Sequence, residues 1–106
     1  MNELYTKKEY YMIEKYVYKN ENTASRIIDG QAVIMTLDNN TLHTLNETGT
    51  RIWELCDGKR RFKDIVKIIH EEYSVEYEYG ETDCEIFLQD LINKGMLILW
   101  DKIEEH

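Results

Sequence analysis

The stretch LNETGTRIWELCDGKRRFKDIV, residues 45–66, decides how this chain folds. Leu45 closes an alternating run, TLHTL, which reads as a short strand with Thr41, His43 and Leu45 on one face and Leu42 and Thr44 on the other. Asn46 interrupts that run and suits a helix N-cap, because its side-chain oxygen accepts from the open amides of a first turn. Ile52, Trp53 and Cys56 then recur at helical spacing, and Gly58 marks the end. After a basic turn a second apolar run starts near Phe62 and carries Ile65, Val66, Ile69 and Tyr73. Two short helices joined by a tight turn, directly after a strand, give a helix–turn–helix order.

Working upstream, ASRII, then Asp29-Gly30, then QAVIMTL reads as a hairpin, since Asp-Gly tolerates the positive φ that a two-residue turn needs. Asp38-Asn39-Asn40 marks a second turn, so residues 24–45 form a three-stranded antiparallel meander. Downstream, SVEYEYGE (74–81) reads as a linker, with Thr82 or Asp83 as the next cap. A third helix, DCEIFLQDLINKG, places Cys84, Phe87, Leu88 and Leu91 on one face and ends at Gly95. MLILW (96–100) is too short for a helix and reads as a closing strand or an extended tail. The expected fold is α+β: a winged helix–turn–helix, with a three-stranded antiparallel sheet followed by three helices, over residues 23–106. Residues 1–22 form an N-terminal extension of open type. Their Tyr-rich, β-branched composition suits a strand, while Tyr5, Glu9, Met12, Ile13 and Tyr16 fall at helical spacing.

The totals narrow the function. A chain of 106 residues, 42% of them hydrophobic, supports one core. The net charge of −8 argues against nucleic acid as the main partner, because phosphates call for a basic face. Lys59, Arg60, Arg61 and Lys63 are a local exception that could dock an acidic segment, but a solvated turn and helix start is the simpler reading. Two cysteines, Cys56 and Cys84, make no disulfide framework and read as buried thiols in a reducing compartment. The first residues lack the apolar core of a signal peptide, and no run is long enough to span a bilayer, so a cytoplasmic protein is expected.

No catalytic constellation stands out. His43, His70 and His106 are scattered, and IIHEEYS lacks the second histidine of a zinc helix. No paired Cys-x-x-C exists, and DNNT at Asp38 lacks the rest of a calcium loop. The glycines are separate turn and cap residues. Neither metal, cofactor nor enzymatic activity is expected. What remains is backbone geometry: a sheet this small has free edges, and a guest strand can complete one. TLHTL is such an edge unless the N-terminal segment or MLILW covers it, and the sequence pattern weights the two readings equally.

These residues together resemble the PqqD family, the peptide chaperones named for pyrroloquinoline quinone biosynthesis and also described as RiPP precursor peptide recognition elements. The resemblance rests on Leu45, Asn46, Gly49, Ile52, Trp53, Asp57, Gly58, Ile65, Val66, Tyr73, Phe87, Leu88, Leu91, Gly95 and Leu97, with SRIIDGQAVIM similar to the family's first hairpin. It covers residues 24–98 and leaves 1–22 outside.

The resemblance implies a function. Family members bind the leader of a ribosomally made precursor peptide as an added strand, in the groove between the third strand and third helix. They present its core to a modifying enzyme, often a radical SAM protein. The expected contacts are Thr41, Leu42, His43, Thr44 and Leu45, with Glu85, Leu88, Gln89 and Ile92 on the third helix. The opposite flank, with Asp83, Asp90 and Lys94, stays open as the alternative, and Ile86 is a further candidate contact. Trp53, Phe87 and Leu91 are expected in the core by periodicity, Leu88→Ala to harm folding, and His43→Glu to harm peptide binding first. The main rival is a winged-helix DNA-binding regulator, disfavoured because Lys94 is the single basic residue on the third helix against Asp83, Glu85 and Asp90. A dimer in which residues 1–22 or a swapped strand occupy the groove is a further reading.

Overall fold

The computed structural model describes residues 12–77 and 81–102. In chain order the elements are β1 (Tyr16–Lys19), β2 (Thr23–Ile28), β3 (Gln31–Thr36), β4 (Thr41–Thr44), α1 (Glu47–Leu55), α2 (Phe62–Tyr77), α3 (Glu81–Asn93) and β5 (Leu97–Trp100). Strands β2, β3 and β4 form the expected antiparallel meander, and β1 pairs with β5 in a separate two-stranded sheet. Three helices follow the meander, so the α+β order read from the sequence holds, and a winged helix–turn–helix description fits it.

Local chemistry sets the turns and caps. Asp29 (φ 51°) and Gly30 (φ 79°) take the left-handed conformation that a tight hairpin requires. Asn40 (φ 54°) does the same in the second turn, where Asn39 Oδ1 accepts from the Thr41 amide at 3.2 Å. Asn46 caps α1, accepting from the Gly49 amide at 2.8 Å. At the far end of α3 the Gly95 amide donates to Ile92 O (3.0 Å) and the Met96 amide to Leu91 O (2.9 Å), the paired bonds of a Schellman cap. Gly95 sits at φ 75°, which is why glycine stops this helix.

The core lies between the inward face of the meander and the three helices. Ala32 and Ile34 of β3 meet Ile52, Trp53, Leu55 and Cys56, then Phe62, Ile65 and Ile69 of α2 and Cys84, Leu88 and Leu91 of α3. Val17, Met96 and Leu97 close it from the β1–β5 side. Trp53 is nearly sealed, yet its indole N–H reaches Ser25 Oγ at 3.1 Å, so its one polar atom is satisfied.

One detail differs from the sequence reading. Helix α2 runs to Tyr77, through part of the stretch expected as a linker. Nothing in Ser-Val-Glu-Tyr breaks a helix, and weak propensity alone does not end one. Within the extension, whose type the sequence leaves open, Tyr16–Lys19 forms β1: Val17 is fully buried, its amide donates to Arg60 O (3.1 Å) and its carbonyl accepts from Gly58 N (2.8 Å). Phe62 N donates to Lys15 O at 2.8 Å. Thus β1 lies between β5 and the α1–α2 turn, and MLILW supplies its other partner. Met12 and Ile13 pack against the core, while Tyr5, Glu9 and His106 lie outside the described residues.

Candidate functional site

The meander has the order β2-β3-β4, so β4 is an edge among the described residues. Of the two segments that were candidates to cover it, the described parts Tyr16–Lys19 and Leu97–Trp100 pair with each other. The register fixes what the edge offers. Leu45 N donates to Ala32 O at 2.9 Å, and Ile34 faces His43 and Thr36 faces Thr41. Antiparallel pairing alternates, so those residues bond inward, and the N–H and C=O groups of Leu42 and Thr44 point out to the open edge. Leu42 is 61% exposed.

The end of β4 is held firmly. Thr50 of α1, buried, accepts from Ala32 N (2.8 Å) and donates to Leu45 O (3.4 Å), tying helix, central strand and strand end together. One residue on, Asn46 turns into α1 through its cap.

Beside this edge lies a groove of about 590 Å³. Thr44, Leu45, Asn46 and Gly49 form one side, and Asp83, Ile86, Phe87 and Asp90 of α3 form the other. Gly49 is there for contact distance: a Cβ on it would stand 3.0 Å from Phe87 Cζ and 3.2 Å from Asn46 Oδ1. Helix α3 therefore carries two stripes. Cys84, Leu88 and Leu91 face the core, while Asp83, Ile86, Phe87 and Asp90, at the same three- and four-residue spacing, face the groove. The arrangement has an apolar floor, an acidic rim and unpaired main-chain groups along one wall. It offers binding surface built from main-chain groups, apolar side chains and two carboxylates.

The expected contact residues are placed as follows. Thr44 and Leu45 line the groove. Thr41, Leu42 and His43 continue along the same strand, with His43 half-buried on the side of Ile34. Leu88 is fully buried in the core. Glu85, Gln89 and Ile92 lie on the flank of α3 away from the lining, and Ile92 is half-buried because it packs against the core. Phe87, expected in the core, is only partly buried and forms groove floor. Asn46, Gly49 and Phe87 were legible as scaffold, but no periodic signal marks them as lining.

The basic cluster is largely neutralised within the protein. Arg60 pairs with Asp57 at 2.5 Å, and Arg61 (3.6 Å) and Lys63 (3.0 Å) share Glu14. Arg61 also lies over the Tyr16 ring at 5.3 Å. Burial pushes the Cys84 thiol up to about 12 and the Cys56 thiol higher still, so neither is a nucleophile near neutral pH. Among the described residues, no three His, Cys, Asp or Glu side chains converge on a metal position, and no helix is long and apolar enough to cross a membrane.

An α+β fold of helix–turn–helix order with an open strand edge, among the described residues, against a helix-walled groove is the class that these features define. The profile for coenzyme PQQ synthesis protein D (PqqD) matches residues 31–97, and the chain belongs to that family. Among solved structures it is similar to TbiB1 in complex with the TbiA(beta) leader peptide, with 35% identity and a TM-score of 0.66 over 76% of this chain and 93% of that one. Lasso peptide synthetase B1 complexed with the leader peptide shares the fold at 19% identity, with a TM-score of 0.66 over 78% of this chain and 98% of that one. No curated protein sequence matches.

Proposed function

We propose that this protein binds the leader of a ribosomally synthesised precursor peptide as a strand added to β4, against α3, and delivers the peptide to a modifying enzyme of the radical SAM class. It acts in the cytoplasm and does no chemistry of its own. The observation that carries the reading is the open β4 edge running beside the groove. Family membership supports it, as does the likeness to TbiB1, whose structure holds a leader peptide. The choice of a radical SAM partner rests on the family alone.

The mechanism is binding that raises local concentration. Leu42 and Thr44 offer up to four main-chain hydrogen bonds, each worth about 1 kcal/mol net. One or two apolar side chains on Leu45, Ile86 and Phe87 add about 1.5–3 kcal/mol each when buried. Against the cost of ordering the peptide, micromolar affinity, about −8 kcal/mol, is within reach. The flexible core then samples the enzyme's active site at high effective concentration.

The test is an amide-shift titration of the full chain with synthetic leader peptides taken from short open reading frames neighbouring its gene. Shifts concentrated on residues 41–45 and on Asp83, Ile86, Phe87 and Asp90 are expected. Thr44→Pro sharpens the test. Its amide takes no part in the β3–β4 ladder, and an edge strand tolerates proline there, so the fold should survive while peptide affinity falls about fivefold or more, the value of the one hydrogen bond its N–H would donate. Unchanged affinity in a folded Thr44→Pro protein would rule out strand addition.

A further inference from the structure

The groove stripe of α3 has a charge pattern that bears on which peptides it accepts. Both ionisable side chains in the lining, Asp83 and Asp90, are acidic, and they bracket Ile86 and Phe87 by one turn on either side. Their charges are not equivalent. Asp90 is paired with Lys94 at 2.9 Å. Asp83 has no cation partner among the described residues, and it is exposed. Ile86, between them, is 61% exposed, a large apolar side chain with nothing over it among the described residues. Resting on the reading of this groove as a peptide site, we propose that it selects leaders bearing a bulky apolar residue with a lysine or arginine two residues away. The apolar residue lies on Ile86 and Phe87, and the cation pairs with Asp83.

The spacing follows from the two secondary structures. Asp83 and Ile86 are about 4.5 Å apart along the helix axis. In an added strand, side chains on the same face recur about every 6.7 Å. The reach of a lysine or arginine stem spans the difference, and that stem itself covers apolar surface on the way. A glutamate at the same position would meet the Asp83 carboxylate instead. The net charge of −8 acts in the same direction at long range, drawing cationic segments toward the domain and repelling acidic ones. Asp83 has a simpler use as well: it lies in the first turn of α3, where the helix dipole favours a carboxylate. That role concerns stability and is indifferent to the peptide, so peptide charge separates the two.

The experiment uses the full chain and short synthetic β-prone peptides with one central leucine, identical except for Lys, Gln or Glu two positions from it. Fluorescence anisotropy gives affinity, and amide shifts report where each peptide binds. The Lys peptide is expected to bind about tenfold more tightly than the Glu peptide, the sum of one attraction gained and one repulsion avoided at a partly exposed site. High salt should shrink that ratio. Asp83→Lys should invert the order, with the Glu peptide now preferred, a result that loss of folding cannot produce. If the peptides move the β4 and α3 amides equally whatever their charge, the selectivity proposal fails and strand addition stands. If none of them moves those amides, both fail.

Discussion

Gly49→Ala is the most informative single change. Gly49 is the third residue of α1, in ordinary helical backbone, so alanine is allowed there by conformation. What it meets is Phe87: the new methyl would stand 3.0 Å from Cζ, 3.2 Å from the capping Asn46 Oδ1 and 3.3 Å from Leu45 Cβ. Ordinary carbon contact begins near 3.4 Å, so the ring must give by a few tenths of an ångström. Overpacking of this kind costs about 1–3 kcal/mol. Replacing glycine in a helix returns up to about 1 kcal/mol. The net expectation is a loss of about 1–2 kcal/mol, which lowers Tm by about 5–15 °C in a domain of this size. Thermal unfolding followed by circular dichroism measures it. Phe87→Leu removes the Cζ atom, and in that background Gly49→Ala should cost little or become favourable, a coupling read directly from the double-mutant cycle. An equal cost in both backgrounds would refute the claim that ring contact is what makes this position a glycine. So would a raised Tm for the single change.

Other expectations follow from the same contacts. Asn46→Ala removes the cap on α1 and should cost about 1 kcal/mol in denaturant unfolding, with Asn46→Asp nearly neutral. Leu88→Ala empties a fully buried site and should cost about 2–5 kcal/mol, enough to unfold much of a marginally stable domain. Cys56 and Cys84 should resist iodoacetamide at pH 8 in the native protein and react fully in denaturant, because burial keeps both thiols protonated; rapid native labelling would mean that the core opens there. Arg51 holds Glu72 through paired bonds of 3.0 and 2.9 Å, which lowers the glutamate's pKa below its usual value. The folded pKa is the lower one, so this contribution is complete above the unfolded pKa of about 4.3 and disappears as pH falls through the folded value. Both side chains are more than a third exposed, which limits the pair to under about 1 kcal/mol. The Tm gap between wild type and Arg51→Ala should therefore be small at pH 7 and absent at strongly acidic pH; a gap that persists in acid would assign the effect to packing.

The parts of this fold that could be read from the chain are those set by neighbours in sequence. Asp29-Gly30, Asn46 and Gly95 each impose one backbone geometry, and the elements they bound follow from apolar spacing. The pairing of β1 with β5 could not be read that way. Each is four residues long, they lie far apart in sequence, and neither alternates cleanly. The groove was half legible. Its strand wall follows from TLHTL and Leu45, but its helix wall depends on which flank of α3 lies against β4. Helical periodicity separates the core stripe from the rest of α3, yet it leaves the two flanks equivalent. Ile92, an apolar residue on the flank that carries Glu85 and Gln89, does not break that tie. In the folded chain its burial is taken up by the core. Phe87 misled, since an aromatic at core spacing can also floor a cleft.

The placement of β1 has a consequence for how the protein is made. Its partners are the turn at residues 58–62 and the strand at 97–100, both of which follow it in synthesis. As the chain emerges from the ribosome, the meander and α1 can form from adjacent residues, while Val17 stays without its pocket until β5 is out. Closing so long a loop is slow relative to hairpin and helix formation. The nascent domain therefore passes through an interval in which an aromatic-rich strand and the open β4 edge are exposed together.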